Sequence, residues 1–250
     1  MATSHMEPSA YTLKDKVAVV TGASSGLGRA IAVLFAAHGT RLVVCADLKP
    51  EAQAGGVDQE PGKRTDELIN SRHGDGRALY VETNVAIGED VSRCVEEAVR
   101  LGGRLDVMVN NAGLGVEKIK IHELPEEVWD KMMSVTLSAV NLRSVFLGCK
   151  YACAQFLKQK PWPSGDRGWI VNTASILGAV GIIDGAVSRT AMTKMNYEDQ
   201  ALSDRLMART PWRTWGEAQD IAKAALFLAS DGAAWITGAA LPVDGGFLAA

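Results

Sequence analysis

The stretch Val17-Ala18-Val19-Val20-Thr21-Gly22-Ala23-Ser24-Ser25-Gly26-Leu27-Gly28 decides the reading of this chain. Its first four residues are apolar and mostly β-branched, with no polar alternation, which is the pattern of a strand covered on both faces. Gly22, Gly26 and Gly28 then permit a tight turn and a close approach of backbone to a ligand, where a Cβ would intrude. A helix is expected next, over about 29–38. Its first N–H groups have no intrahelical partner and its leading end is positive, so the turn is a ready site for a pyrophosphate. Strand before and helix after make the spacing far more specific than three glycines alone.

The rest of the composition limits what surrounds this turn. A chain of 250 residues is long enough for a single large core. Lys and Arg number 26 against 29 Asp and Glu, a net charge of −3, and no basic cluster stands out. Nucleic acid is therefore not an expected partner. The longest apolar runs, such as 224–229, fall far short of a bilayer, so no membrane association and a cytoplasmic location are expected. Residues 1–12 are expected to form a disordered tail before one domain over 13–250. Cys45, Cys94, Cys149 and Cys153 fit no disulfide framework, and no histidine near the last two completes a zinc set. They read as reduced thiols, and no metal is expected.

Outward from the turn, apolar strands and amphipathic helices alternate. Strands are expected at 41–46, 78–81, 105–109 and 169–172, with helices at about 65–72, 90–101, 125–133, 135–155 and 218–229. That alternation predicts a parallel sheet with helices on both faces, an α/β doubly wound arrangement. The second strand runs into Asp47, a carboxylate placed to accept ribose hydroxyls and to repel an added phosphate. Residues 49–64 are rich in Pro, Gly and charge and read as a loop. Residues 235–246 are expected to give a turn, a short strand and a Gly-Gly end.

These residues resemble the short-chain dehydrogenase/reductase family. Thr21 to Gly28 matches its TGxxxGxG turn, and Asn110-Asn111-Ala112-Gly113 matches its NNAG strand end. Trp169 to Ser175 looks like the strand that delivers the family's catalytic serine. Asp231 to Gly246 resembles its C-terminal signature. The resemblance implies a Rossmann-like sheet with NAD, or alternatively NADP, across the strand ends. It implies that Gly22, Ser24, Ser25, Gly26, Leu27 and Gly28 hold the pyrophosphate and its flanks, and that Asp47 selects the ribose. Asn84 and Val85 stand where the family's Asp-Val meets the adenine, and Asn111, with Ala112 and Gly113, lines the ribose and nicotinamide side. Ser175 would hold the reacting oxygen of a small-molecule substrate whose hydroxyl and carbonyl forms interconvert. Asp47 favours NAD, while Arg29 and Lys49 keep NADP open.

The chain departs from the family in two places. The family's acid/base is a Tyr-x-x-x-Lys pair about a dozen residues after the serine. Here Tyr11, Tyr80, Tyr151 and Tyr197 all lack a lysine four residues on. The segment carrying that pair, roughly 40 residues with its following strand, is expected to be missing at Gly181–Ile182, which would shorten the sheet. The usual interface helix would go with it, although a homo-oligomer stays possible. Lys194 and Tyr197, three apart, could restore the pair in reverse order on one helix face. The family's catalytic asparagine falls at Thr136, with Asn141 five residues late, so 136–140 reads as an insertion. Asn141 keeps the role if a bulge absorbs it. Two functions follow: an NAD(P)-dependent oxidoreductase, or a catalytically impaired cofactor-binding pseudoenzyme or splice variant of an active parent.

Overall fold

The computed structural model describes residues 11–115, 119, 121–133, 140–180 and 187–250. Strand β1 (Val17–Thr21) is buried along its whole length. It pairs in parallel with β2 (Leu42–Asp47) on one side and β4 (Val107–Asn110) on the other. β3 (Ala78–Glu82) extends the sheet beyond β2, and β5 (Trp169–Asn172) extends it beyond β4. The order β3-β2-β1-β4-β5 makes five parallel strands, as the alternation predicts. The order reverses beside β1, and ligands of open α/β sheets bind at such a crevice.

Why β1 reads as an unbroken apolar run is visible in its two faces. Ala18 and Val20 pack with Val43, Val107 and Val171 against Ile31 and Phe35 of α1 (Gly26–Ala37), Ile69 of α2 (Thr65–His73) and Leu226 of α8 (Ala218–Ala229). Val17 and Val19 face the other way, with Val44 and Met108, onto Val91 and Val95 of α3 (Gly88–Gly102) and Leu147 of α5 (Arg143–Phe156). Each fully buried Val or Phe of this kind contributes about 1.5–3 kcal/mol. A smaller cluster joins Val187, Phe247 and residues of α7 (Gln200–Arg209), a helix outside the predicted set. Two shorter helices, α4 (Glu126–Lys131) and α6 (Lys194–Glu198), are the others among the described residues.

The lower end of the sheet is fastened by a buried acid. Asp106 has no exposed surface. Its carboxylate accepts the Val17 N–H at 2.9 Å, the Trp162 Nε1–H at 2.7 Å and the Arg104 Nε–H at 2.6 Å. Lys16 ion-pairs with Asp231 at 2.9 Å and lies 3.8 Å from the centre of the Trp169 ring.

Two expectations need correction. The short strand expected within 235–246 does not form, and Trp235 is fully exposed while Ile236 and Leu241 are half-exposed. β5 pairs only with β4 among the described residues, and a strand exists only where a neighbour takes its N–H and C=O groups. The helix expected over 135–155 is, among the described residues, α-helical only from Arg143, as α5, and 135–139 lie outside them. Just before it, 140–142 wind as π-helix, as do 132–133. π-winding is the bulge by which a helix accommodates extra residues. Thr136 and the junction at Gly181–Ile182 lie outside the described residues, as does most of the expected tail.

Candidate active site

The glycine turn is built around contacts that only hydrogen atoms permit. Gly22 sits at φ +67°, and a Cβ there would lie 3.0 Å from the Ala112 Cα. A Cβ on Gly28 would fall 2.0 Å from the Gly22 carbonyl oxygen. α1 begins at Gly26, with Ser25 in extended conformation before it and making no side-chain cap of its own. Leu27 is partly exposed in the same turn. A cradle that Cβ atoms would fill, at the leading end of a helix, fits the pyrophosphate of a dinucleotide.

Asp47 stands at the end of β2 against this turn. One carboxylate oxygen accepts the Ser24 N–H at 3.0 Å and the other the Leu48 N–H at 2.8 Å. The Ser24 hydroxyl donates to the Lys49 carbonyl at 2.6 Å. Each Asp47 oxygen retains lone-pair capacity for a further donor such as a ribose hydroxyl.

Arg29 is not at the phosphate side. Its side chain is buried and donates to the carbonyls of Gln59, Glu60 and Lys63 and to the Thr65 hydroxyl. It is a clamp on the 59–65 loop, and its four acceptors leave it no free face for a 2′-phosphate. Burial lowers its pKa, and the Asp58 carboxylate is the leading charge that offsets this. Lys49 is exposed.

The ends of β4 and β5 close the crevice. The Thr21 hydroxyl accepts the N–H groups of Asn111 and Ala112 at 2.9 and 3.0 Å. The Asn111 side chain donates to the Thr21 carbonyl at 3.0 Å and accepts from the Thr173 hydroxyl at 3.2 Å. One asparagine thus joins the ends of β1, β4 and β5. Asn110 and Asn172 are bonded across the last two strands at 2.8 Å. Gly113 leads into Leu114, whose N–H and carbonyl are both taken by the Asn141 amide, at 2.8 and 3.0 Å. Asn141 therefore reaches the NNAG loop across the helix's π-wound start. Ser175 is exposed three residues past β5, and its hydroxyl accepts the Leu177 N–H at 3.2 Å.

Asn84 and Val85 lie in the connection between β3 and α3. The Asn84 carbonyl of the side chain accepts the Ala86 N–H at 3.0 Å, so it caps its own loop before α3, and Val85 is buried. Lys194 and Tyr197 do not form a reversed pair. Lys194 bridges to Glu198 at 3.6 Å, whereas the Tyr197 ring meets Trp215 edge-on at 5.9 Å. The other tyrosines are engaged elsewhere: Tyr80 donates to the Asp47 carbonyl, Tyr11 packs on Phe227 and Tyr151 lies against Gly88.

Two residues at the cradle escape sequence reasoning. The Asp58 carboxylate accepts the Gly26 N–H at 2.8 Å, from within the charged 49–64 loop. Thr190 stands at the rim, 3.4 Å from where a Gly26 Cβ would lie. A single aspartate in a loop of mixed charge carries no local signal, and Thr190 reaches Gly26 only through the fold.

Comparison with known proteins agrees with this geometry. The short chain dehydrogenase family profile matches residues 16–191, and that of enoyl-(acyl carrier protein) reductase matches 180–248. The 2-(R)-hydroxypropyl-CoM dehydrogenase of Xanthobacter autotrophicus is 34% identical, over 94% of this chain and 99% of its own. The 3-oxoacyl-[acyl-carrier-protein] reductase FabG of Staphylococcus epidermidis is 30% identical, over 93% and 98%. A structure from Agrobacterium tumefaciens assigned as a 2-deoxy-D-gluconate 3-dehydrogenase, with bound NADP, superposes with a TM-score of 0.75. It is 28% identical and covers 96% of this chain and 99% of its own. Nothing in these likenesses supports a cofactor-binding chain without catalysis. The chain belongs to the short-chain dehydrogenase family and is an NAD(P)-dependent dehydrogenase or reductase.

Proposed function

We propose that this enzyme uses NAD in preference to NADP, on a small cytoplasmic alcohol or ketone, with Ser175 and Asn141 on the catalytic side. The single observation that carries the cofactor reading is the cradle of Gly22, Gly28 and Asn111, with the Asp47 carboxylate at its ribose end. That negative charge disfavours a 2′-phosphate, and Arg29, the cation nearest in sequence to the turn, is committed to loop carbonyls. When bound, the nicotinamide supplies the hydride. The Ser24 to Gly28 backbone binds the pyrophosphate, Asn111 with Ala112 and Gly113 borders the nicotinamide ribose, and Asn84 with Val85 borders the adenine. Ser175, at the exposed end of β5, donates to the reacting oxygen. Asn141 positions the 113–114 loop through its two bonds to Leu114.

The family's tyrosine helix is absent from this chain in our reading. Three observations support that: the placement of all four tyrosines, the five-stranded sheet of the described residues, and the alignments themselves. An alignment of 270 positions that takes in 94% of a 250-residue chain must contain stretches of the relative that this chain does not match. The proton exchanged at the substrate oxygen then comes through solvent at the exposed Ser175. Free thiols at all four cysteines agree with a reducing compartment.

The test is a titration with NADH and NADPH followed by fluorescence, then NADH oxidation with a panel of small ketones. Tighter NADH binding with measurable ketone-dependent oxidation is expected. No binding of either nucleotide would sink the cofactor reading, and tighter NADPH binding would reverse the preference.

A further inference from the structure

The 49–64 loop does more than join β2 to α2. It arches over the glycine turn and reaches the segment on the far side. The Ser24 hydroxyl bonds Lys49 at the loop's start, and Arg29 clamps its end through three carbonyls. Between those anchors, a Cβ on Gly56 would lie 3.5 Å from the Ala191 methyl, and one on Gly55 3.3 Å from the Lys194 ammonium. At the middle of the arch, Asp58 puts a carboxylate oxygen on the Gly26 N–H at 2.8 Å. Its other oxygen is buried with no hydrogen-bond partner among the described residues. A carboxylate oxygen so held is costly, and structures keep such a group where another arrangement satisfies it.

The anion that α1 is shaped to accept is a pyrophosphate, and the first anion on its leading turn is this chain's own. We infer that Asp58 is a gate: its carboxylate holds the Gly26 N–H in the empty enzyme, and dinucleotide binding displaces it and lifts the 50–58 stretch off the turn. The inference rests on the cofactor reading above. Two negative groups cannot share one helix terminus without repulsion, so each bound dinucleotide must work against Asp58. The loop's two anchors survive the displacement, because neither the Lys49 carbonyl nor the Arg29 acceptors belong to 50–58. The gate thus weakens cofactor affinity without unfolding the loop.

Asp58→Asn tests this, since the amide oxygen can still accept from Gly26 while the charge is gone. The variant is expected to bind NADH about tenfold more tightly than the parent, with a gap that narrows as salt rises. Hydrogen exchange on the parent gives a second readout that needs no variant. Saturating NADH should speed exchange across 50–58 and slow it across 22–28. Unchanged or weaker NADH binding by Asp58→Asn overturns the gate, and so does slower or unaltered exchange across 50–58. If the variant does not fold, the exchange result decides alone. If neither protein binds NADH or NADPH, the cofactor reading falls and the gate with it. Binding by both proteins at equal affinity removes only the gate.

Discussion

The hydroxyl of Thr21 accepts the Asn111 N–H at 2.9 Å, and the Asn111 amide returns a bond to the Thr21 carbonyl at 3.0 Å. This reciprocal pair ties the last residue of β1, on which the glycine turn hangs, to the first residue beyond β4. The same hydroxyl also holds the Ala112 N–H and donates to the Val109 carbonyl. Thr21→Val keeps the shape and removes all three of the hydroxyl's bonds. Two backbone N–H groups lose their acceptor, at about 1–3 kcal/mol for each buried group left unsatisfied. The urea midpoint should fall accordingly, and NADH affinity should drop because the turn and Asn111 no longer share one frame. Thr21→Ser should restore most of both; failure of serine to rescue would assign the loss to the missing methyl.

Gly28→Ala isolates the cradle. The added carbon would lie 2.0 Å from the Gly22 oxygen and 2.7 Å from the Asn111 amide nitrogen, distances that no side-chain rotation relieves. The start of α1 must therefore move away from β1. NADH binding should fall by at least 100-fold, a factor equivalent to about 2.7 kcal/mol. Gly178→Ala is the control, because nothing lies within 4 Å of its added carbon. Equal NADH affinity in the Gly28 variant and the parent would remove the turn from the binding site.

Asp47→Asn addresses cofactor choice by removing the charge. Its single amide oxygen can keep the Leu48 N–H but not the Ser24 N–H as well, a local loss that bears on both nucleotides alike. Removing the negative charge lowers the cost of a 2′-phosphate, and the ratio of NADPH to NADH dissociation constants should fall by about tenfold or more. An unchanged ratio would place the discrimination elsewhere.

Most of the fold was legible because burial on both faces leaves a mark at every strand position. Val17 to Val20 and Leu42 to Ala46 read as covered strands for the same reason that they pack between α1 and α8 on one side and α3 and α5 on the other. The turn and NNAG motifs were legible because their chemistry is local: adjacent residues make the contact. The loop carbonyls that hold Arg29 were not legible, because sequence proximity to the turn says nothing about which side of the helix a guanidinium takes. The strand expected within 235–246 failed for a related reason, since strand propensity resides in the segment but pairing depends on a neighbour. Asp58 was invisible because 32 residues separate it from the N–H it accepts.

The thiols give a prediction with a pH sign. Burial pushes the Cys94 thiol up to about 11 and raises Cys45 further, whereas Cys153 is exposed. A raised thiol pKa means that the folded chain keeps a proton which the unfolded chain loses above about 8.5. Stability should therefore be undiminished by these groups below that value and fall as pH rises from about 8.5 towards 11. Native alkylation at pH 8 should mark Cys153 first and leave Cys45 and Cys94 at least 100-fold slower, as mass spectrometry of the peptides would read. Rapid labelling of Cys94 in the folded enzyme would contradict its burial on the face of α3 that packs against the sheet.

The proton pathway gives the last prediction. A protein-held general acid contributes about 10²- to 10⁴-fold, and it makes the rate indifferent to small acids in the buffer because a better-placed donor is already present. None of the four tyrosines stands at Ser175: Tyr80 is bound at Asp47, Tyr197 packs on Trp215, Tyr11 on Phe227 and Tyr151 beside Gly88. With Ser175 exposed to solvent, a diffusing acid can reach the substrate oxygen. Ketone reduction with saturating NADH at fixed pH and ionic strength should then rise with total imidazole concentration, and a series of buffers should order by acid strength. Ser175→Ala should lower the rate at every buffer concentration without abolishing the buffer dependence, because it removes the group that holds the oxygen and not the donor. A rate independent of buffer acid would mean that the chain holds its own donor and would overturn solvent as the source of the proton.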